Sequence, residues 1–124
     1  MRVHHLALRT LDVPGLTAFY RDVVGLETAP QARPPGAVSA WLTAGPTLVM
    51  IEPRDAEEAR VPLGSRELVA FAIEPTDRTA FEARLAAAGV GIEQRTAFTL
   101  YFRDPDGRRV AVSHYPDPAG GQAP

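Results

Sequence analysis

His4-His5-Leu6-Ala7-Leu8-Arg9-Thr10 decides the fold, because the chain repeats the pattern as Glu67-Leu68-Val69-Ala70-Phe71-Ala72-Ile73. Each stretch leads through a turn to a helical segment containing Thr-Ala-Phe, first Thr17-Ala18-Phe19 and then Thr79-Ala80-Phe81. Each half then meets a glycine (Gly25, Gly89), two extended stretches and a closing apolar strand. An internal repeat fixes the architecture before any single element does.

Working outward, Val3–Arg9 alternates apolar and polar residues and predicts a strand. Asp12-Val13-Pro14-Gly15 is a turn suited to helix entry. Leu16–Val24 carries Leu16, Phe19, Tyr20 and Val23 at helical spacing and stops at Gly25. Leu26–Ala29 predicts a short strand, the triple-proline stretch Pro30–Gly36 a loop, and Val38–Ala44 and Thr47–Glu52 two strands joined at Gly45-Pro46. Pro53–Gly64 is polar and acidic, with a helical turn expected at Asp55–Arg60. Glu67–Ile73 is a strand, Asp77–Ala88 an amphipathic helix ended by Gly89, and Gly91–Arg95 a strand. Phe98–Arg103 and Arg108–Tyr115 form a hairpin over Asp104-Pro105-Asp106-Gly107. Pro116–Pro124 reads as a frayed tail. The fold class is α+β: two βαβββ modules, about 1–53 and 65–116, with a linker at 54–64 and a tail at 117–124, their curved mixed sheets forming a cleft.

Strand parity divides the faces, because successive side chains point to opposite sides. Leu6, Leu8, Leu48, Met50, Val69, Phe71, Ile73, Val110 and Val112 are assigned to the helix side. His5, Ala7, Arg9, Thr47, Val49, Ile51, Leu68, Ala70, Ala72, Arg109, Ala111, Ser113 and Tyr115 are assigned to the cleft side. The hairpin strands add Trp41 and Tyr101 there, at matched places in the two halves. Small walls with one large aromatic per half suit a ligand better than a filled core. Arg9, Arg103 and Arg109 are expected to be solvated rim charges.

Composition narrows the class. The 124 residues suffice for one compact domain or two small modules. There is no Cys, hence no disulfide, thiol nucleophile or thiolate metal site. All 13 basic residues are Arg, so Schiff-base chemistry on a Lys amine is excluded. A net charge of −2 gives no general attraction to nucleic acid or anionic membrane. With neither a signal-peptide pattern nor a membrane-length apolar run, the chain reads as cytoplasmic.

His5-Leu6-Ala7-Leu8, the run from Asp12-Val13-Pro14 through Phe19-Tyr20-Arg21-Asp22-Val23-Val24-Gly25-Leu26, and Phe102-Arg103-Asp104-Pro105-Asp106-Gly107 together resemble the vicinal oxygen chelate superfamily. That superfamily includes glyoxalase I, bleomycin-resistance proteins, fosfomycin-resistance transferases and extradiol dioxygenases. The resemblance covers residues 3–116 and implies a single domain of glyoxalase/bleomycin-resistance type. It also implies, for the family's enzymes, a divalent metal held by His, Gln or Glu on the first and last strands of each module.

Carried over position by position, those ligands fall on His5, Val49, Leu68 and Ala111. Three of the four are apolar, whereas a metal needs convergent N, O or S donors. His4 is expected to face away from His5. Glu52 and His114 are assigned to the helix face, and Glu52 would need a β-bulge to turn inward. His5 and Glu52 are therefore the weak metal candidates, and no cofactor is expected. Glu74 is the one acidic residue that parity puts on the cleft face, at a strand end.

The expected function is non-catalytic binding of a small planar or amphipathic molecule, as in the metal-free bleomycin-resistance-like members. The ligand-binding residues named for it are His5, Trp41, Tyr101, Arg109 and Tyr115. The alternative is a glyoxalase- or dioxygenase-type enzyme with an unusual metal set, or a metal-free lyase or isomerase. A homodimer is expected because Val49, Ile51 and Leu68 would otherwise lack cover.

Overall fold

The computed structural model describes residues 1–31 and 33–118. The tail expected at 117–124 lies outside them from residue 119 onward. The described chain divides into two compact units, residues 1–60 and 61–118, so the boundary falls inside the expected linker. No helix among the described residues is long and apolar enough to cross a membrane.

The first unit opens with strand β1 (His5–Thr10). Helix α1 (Val13–Ala18) follows, with Pro14 in its first turn and Asp12 as its cap, the Asp12 carboxylate accepting from the Gly15 amide at 3.0 Å. A Cβ at Gly15 would collide with that carboxylate, which explains the glycine inside a helical turn. The helix then widens into a π-turn over Phe19–Val24, whose last bond runs from the Gly25 amide to the Tyr20 carbonyl, five residues back, at 3.1 Å. A five-residue step brings Val24 beneath Phe19. Leu16, Phe19, Tyr20 and Val24 are accordingly the buried positions, and Val23 is only half-buried, against the α-helical spacing read from the sequence. Gly25 ends the element at φ +97°, a conformation that favours glycine.

Strands β2 (Glu27–Thr28), β3 (Ala40–Ala44) and β4 (Thr47–Pro53) complete a sheet ordered β1-β4-β3-β2, with β1 and β4 parallel and the other pairs antiparallel. β2 and β3 are shorter than the sequence predicted. Asp55–Arg60 forms no helix, only a turn closed by the Glu58 amide on the Asp55 carbonyl at 3.1 Å.

The second unit repeats the plan with β5 (Leu68–Ala72), α2 (Arg78–Ala87), β6 (Gln94–Arg95), β7 (Thr99–Arg103) and β8 (Arg109–Ser113), ordered β5-β8-β7-β6. A turn of 3-10 helix at Pro75–Asp77 leads into α2 through a capping box between Glu74 and Asp77. Glu74 is thereby committed to helix entry. Phe81 and Leu85 on α2 are buried, and Phe81 meets Phe102 of β7 with ring centroids 5.8 Å apart. The α+β class and the βαβββ order therefore stand as read from the repeat.

Register corrects one strand. Leu6 lies opposite Val49 and Leu8 opposite Ile51, while Leu42 also pairs with Val49. Opposed residues share a face. Val49 and Ile51 therefore point to the helix side, both at 0% exposure, and Leu48, Met50 and Glu52 share the face of His5, Ala7, Arg9 and Trp41. The parity of β4 is the reverse of the expectation, and two of the three residues that motivated a dimer are core. Leu68, at 39% exposed, is the remaining one. In the second unit Leu68, Ala70, Ala72, Arg109, Ala111, Ser113, Thr99, Tyr101 and Arg103 share one face, as the sequence suggested.

Candidate functional site

Each sheet has one face turned from its helix. In the first unit a row runs Ala7, Met50, Trp41, and the next row runs His5, Leu48, Thr43. Trp41 sits in the middle of β3. The Arg33 guanidinium covers one side of its ring, with the carbon 4.0 Å from the ring centroid. Arg33 is held by the Ser39 hydroxyl and carbonyl. The Arg33 Nε and Trp41 Nε1 atoms are both buried without a partner.

His5 is exposed on edge strand β1. Its Nδ1 lies 3.0 Å from that of His4, with the rings edge to face, so the two imidazoles do not turn away from each other as the alternation predicted. His4 precedes the strand, which frees it from the pleat. One ring must donate and the other accept.

Glu52 reaches the His5 face in regular register, with no bulge, yet stands opposite Arg9 and pairs with it at 3.5 Å. It lies four residues along β4 from Leu48, the residue opposite His5, or about 13 Å away. His5 and Glu52 therefore cannot share one ion. Glu52 is thus an acidic residue on the sheet face turned from the helix, a face on which the sequence reading put Glu74 alone.

In the second unit the central row is Ala70, Ala111, Tyr101, Gln94, beside Leu68, Arg109, Arg103. Arg109 is not a solvated rim charge: it is 7% exposed. Its guanidinium reaches from β8 across the Tyr101 ring, 4.3 Å from the centroid, to Gln94 on β6, where Nη2 donates to Oε1 at 3.0 Å. Its Nε is buried without a partner. Arg103 on the same face forms a two-bond fork with Glu93 (2.7 and 2.9 Å) and also donates to the Ser65 carbonyl at 2.7 Å. Thr99 and Ser113 bond across the strands at 2.9 Å.

Tyr115 lies past the end of β8, opposite in the strand from Arg109. It is 74% exposed and stands edge-on to Phe98 at 5.2 Å, so it does not join the Tyr101 and Arg109 group. His114 is buried on the helix side as expected, between the Asp117 carbonyl and the Arg78 guanidinium. Arg33 and Gln94 escaped the sequence reading. Arg33 stood in a proline-rich loop and Gln94 at a two-residue edge strand, and neither position carries periodicity.

Three surface carboxylates are perturbed, the first being Asp22, which the hydrogen bond from Arg21 holds below the usual aspartate range. The hydrogen bond from Arg9 holds the Glu58 carboxyl below the usual glutamate range, and the bond from Arg103 does the same for Glu93. A depressed folded-state value gives stability that is present above the unfolded value, about 4.3, and lost as pH falls through the folded one. Melts taken on the acid side should decline less steeply in Glu93→Gln than in wild type. The difference will be small because the pair is exposed.

The chain belongs to the Glyoxalase/Bleomycin resistance protein/Dioxygenase superfamily, whose family model matches residues 2–112. A glyoxalase/dioxygenase from Nostoc punctiforme has a similar structure (TM-score 0.76, 21% identity), covering 94% of this chain and 92% of that one. FosX, the fosfomycin resistance protein of Listeria monocytogenes, in complex with Mn(II) and 1S,2S-dihydroxypropylphosphonic acid, matches at TM-score 0.71 and 18% identity over 92% and 91%. Lactoylglutathione lyase from Agrobacterium tumefaciens matches at TM-score 0.66 and 22% identity over 92% and 93%. At these identities the likeness is one of fold. No curated protein matches the sequence.

The donor set does not fit the divalent metal that such relatives imply. On the His5 face β4 offers Leu48 and Met50, and the carried-over positions in the second unit are Leu68 and Ala111. Among the described residues no group of three His, Cys, Asp or Glu side chains could hold an ion.

Proposed function

We propose that this protein binds a small planar or amphipathic molecule without converting it, using the sheet faces that carry Trp41 with Arg33 and Tyr101 with Arg109. One observation carries this reading. Three buried side-chain donors without a partner occur among the described residues, Arg33 Nε, Trp41 Nε1 and Arg109 Nε, and all three belong to these two stacks. Buried donors are nearly always satisfied, and each unsatisfied one costs about 1–3 kcal/mol. Holding them on two alanine-bearing sheet faces makes sense when a bound molecule supplies the acceptors. The apolar residues at the carried-over ligand positions favour binding over metal-assisted chemistry.

Trp41 is the one tryptophan, so its emission reports the first face directly. A panel of planar antibiotics and aromatic metabolites should contain compounds that shift or quench it with saturation. An aromatic anchor in a desolvated site carries about 2 kcal/mol, so Trp41→Ala should weaken such binding roughly thirtyfold. Binding that ignores Trp41→Ala would remove Trp41 from the site. Elemental analysis finding near one divalent metal per chain, lost in His5→Ala, would favour the enzyme reading.

A further inference from the structure

We infer that Arg109 is an anchor for an oxyanion, so that the molecule bound on the second unit's sheet carries a carboxylate or phosphate-type group. The inference rests on the binding reading above and adds the charge of the ligand. Arg109 is more than nine-tenths buried, and among the described residues its guanidinium donates to a neutral acceptor, Gln94 Oε1. Among the described residues it has no ion pair. Glu93, which feels the Arg109 charge, is already engaged by both prongs of Arg103.

A buried charge whose nearby carboxylate is bonded to another arginine is unfavourable. Stability alone would favour an apolar side chain here, since replacing buried ions by well-packed apolar groups is often neutral or stabilising. A binding role explains its retention. Tyr101 fixes the plane of the guanidinium from below, and Gln94 fixes its rotation. Nε is closed to water. An oxyanion reaches the fork only as the guanidinium turns from Gln94 and uncovers Nε, exchanging a neutral acceptor for a charged one. Leu68, directly opposite Arg109 on β5, and Ala70 beside it are exposed, which leaves an apolar shelf for the ligand's body next to its charged end.

The test uses the full chain and five probes: benzoate, phenyl phosphate and inorganic phosphate against neutral benzamide and benzyl alcohol, followed by calorimetry and thermal melts. Wild type should bind the aromatic anions roughly tenfold or more tightly than the neutral compounds. Arg109→Met should lose that preference, while its melting temperature without ligand stays level or rises. Arg109→Lys should retain part of the preference, because it keeps the charge but not the fork. A response to benzoate alone assigns a carboxylate, and one shared by both phosphates assigns a phosphate-type group. If benzamide matches benzoate in wild type and Arg109→Met changes neither, the anchor is refuted and the binding reading survives. If no probe binds wild type at about 10 mM, both fail. A melting temperature of Arg109→Met that falls without ligand, with anion binding intact, would make Arg109 a structural strut and overturn the proposal.

Discussion

Val49→Asp is expected to abolish folding of the first unit, while Met50→Gln, one residue along, is tolerated. Val49 is paired with Leu6 on one side and Leu42 on the other, and no part of it reaches solvent. An aspartate there must bury a carboxylate between Leu6 and Leu42, on the face that also carries the buried Leu8 and Ile51. Among the described residues the strands of that face carry no cation there, so the cost is about 4 kcal/mol or more, comparable with the whole stability of a small domain. Met50 is half-buried on the opposite face, between Ala7 and Trp41, and a polar replacement should change stability by about 1 kcal/mol or less. Far-UV circular dichroism and thermal melts of the two variants decide the point. A folded Val49→Asp beside an unfolded Met50→Gln would mean that β4 has the other parity.

That contrast marks where the sequence was legible. In the second unit β7 and β8 alternate clearly, and parity put Ala70, Ala111, Tyr101 and Arg109 on one face, as the register has them. In β4 the run Leu48-Val49-Met50-Ile51 is apolar at every position. Both phases then read equally well, and only pairing with Leu6 and Leu8 separates them. The π-turn was invisible for a related reason: Val23 and Val24 are the same residue type, and the choice between them lies in backbone geometry. Repetition revealed the architecture because it does not depend on phase.

The site was read in outline only. Trp41 and Tyr101 emerged from symmetry, yet their cationic partners follow no symmetry, Arg33 coming from a loop and Arg109 from a strand. Arg109 follows Arg108 and lies near Arg103, a cluster that by composition suggests solvent. Its burial arises because it can extend over a neighbouring ring, a property of three adjacent strands that no linear pattern carries.

Asp104→Ala should lower stability by about 3 kcal/mol and shorten the lifetime of the β7–β8 hairpin. Asp104-Pro105-Asp106-Gly107 looks like an ordinary turn sequence, but the structure gives its first residue a larger task. The Asp104 side chain is 0% exposed. Its Oδ1 accepts from the amides of Asp106 at 2.9 Å and Arg108 at 3.0 Å, and its Oδ2 from the Arg108 guanidinium at 3.1 Å. Main-chain bonds close the turn around it, from Gly107 to the Asp104 carbonyl and between Asp104 and Arg108, with Gly107 at φ +87°. Removing the carboxylate takes the side-chain acceptor from two amides and one of two carboxylate partners from the partly buried Arg108 guanidinium, and those losses belong to one network. Asp104→Asn separates the contributions. Its amide oxygen can still serve the two backbone donors, but its NH2 group would face the Arg108 guanidinium, so an intermediate loss is expected. Asp106→Ala removes only a half-exposed partner of Arg108 at 3.2 Å and should change stability by about 1 kcal/mol or less. Thermal melts rank the three variants, and hydrogen exchange at Tyr101 and Ala111 reads the hairpin itself. Because Arg109 begins the strand that this turn launches, loosening the turn should also weaken any ligand held by Arg109, even though Asp104 never touches it. Equal melting temperatures for Asp104→Ala and Asp106→Ala would show that the buried carboxylate is dispensable.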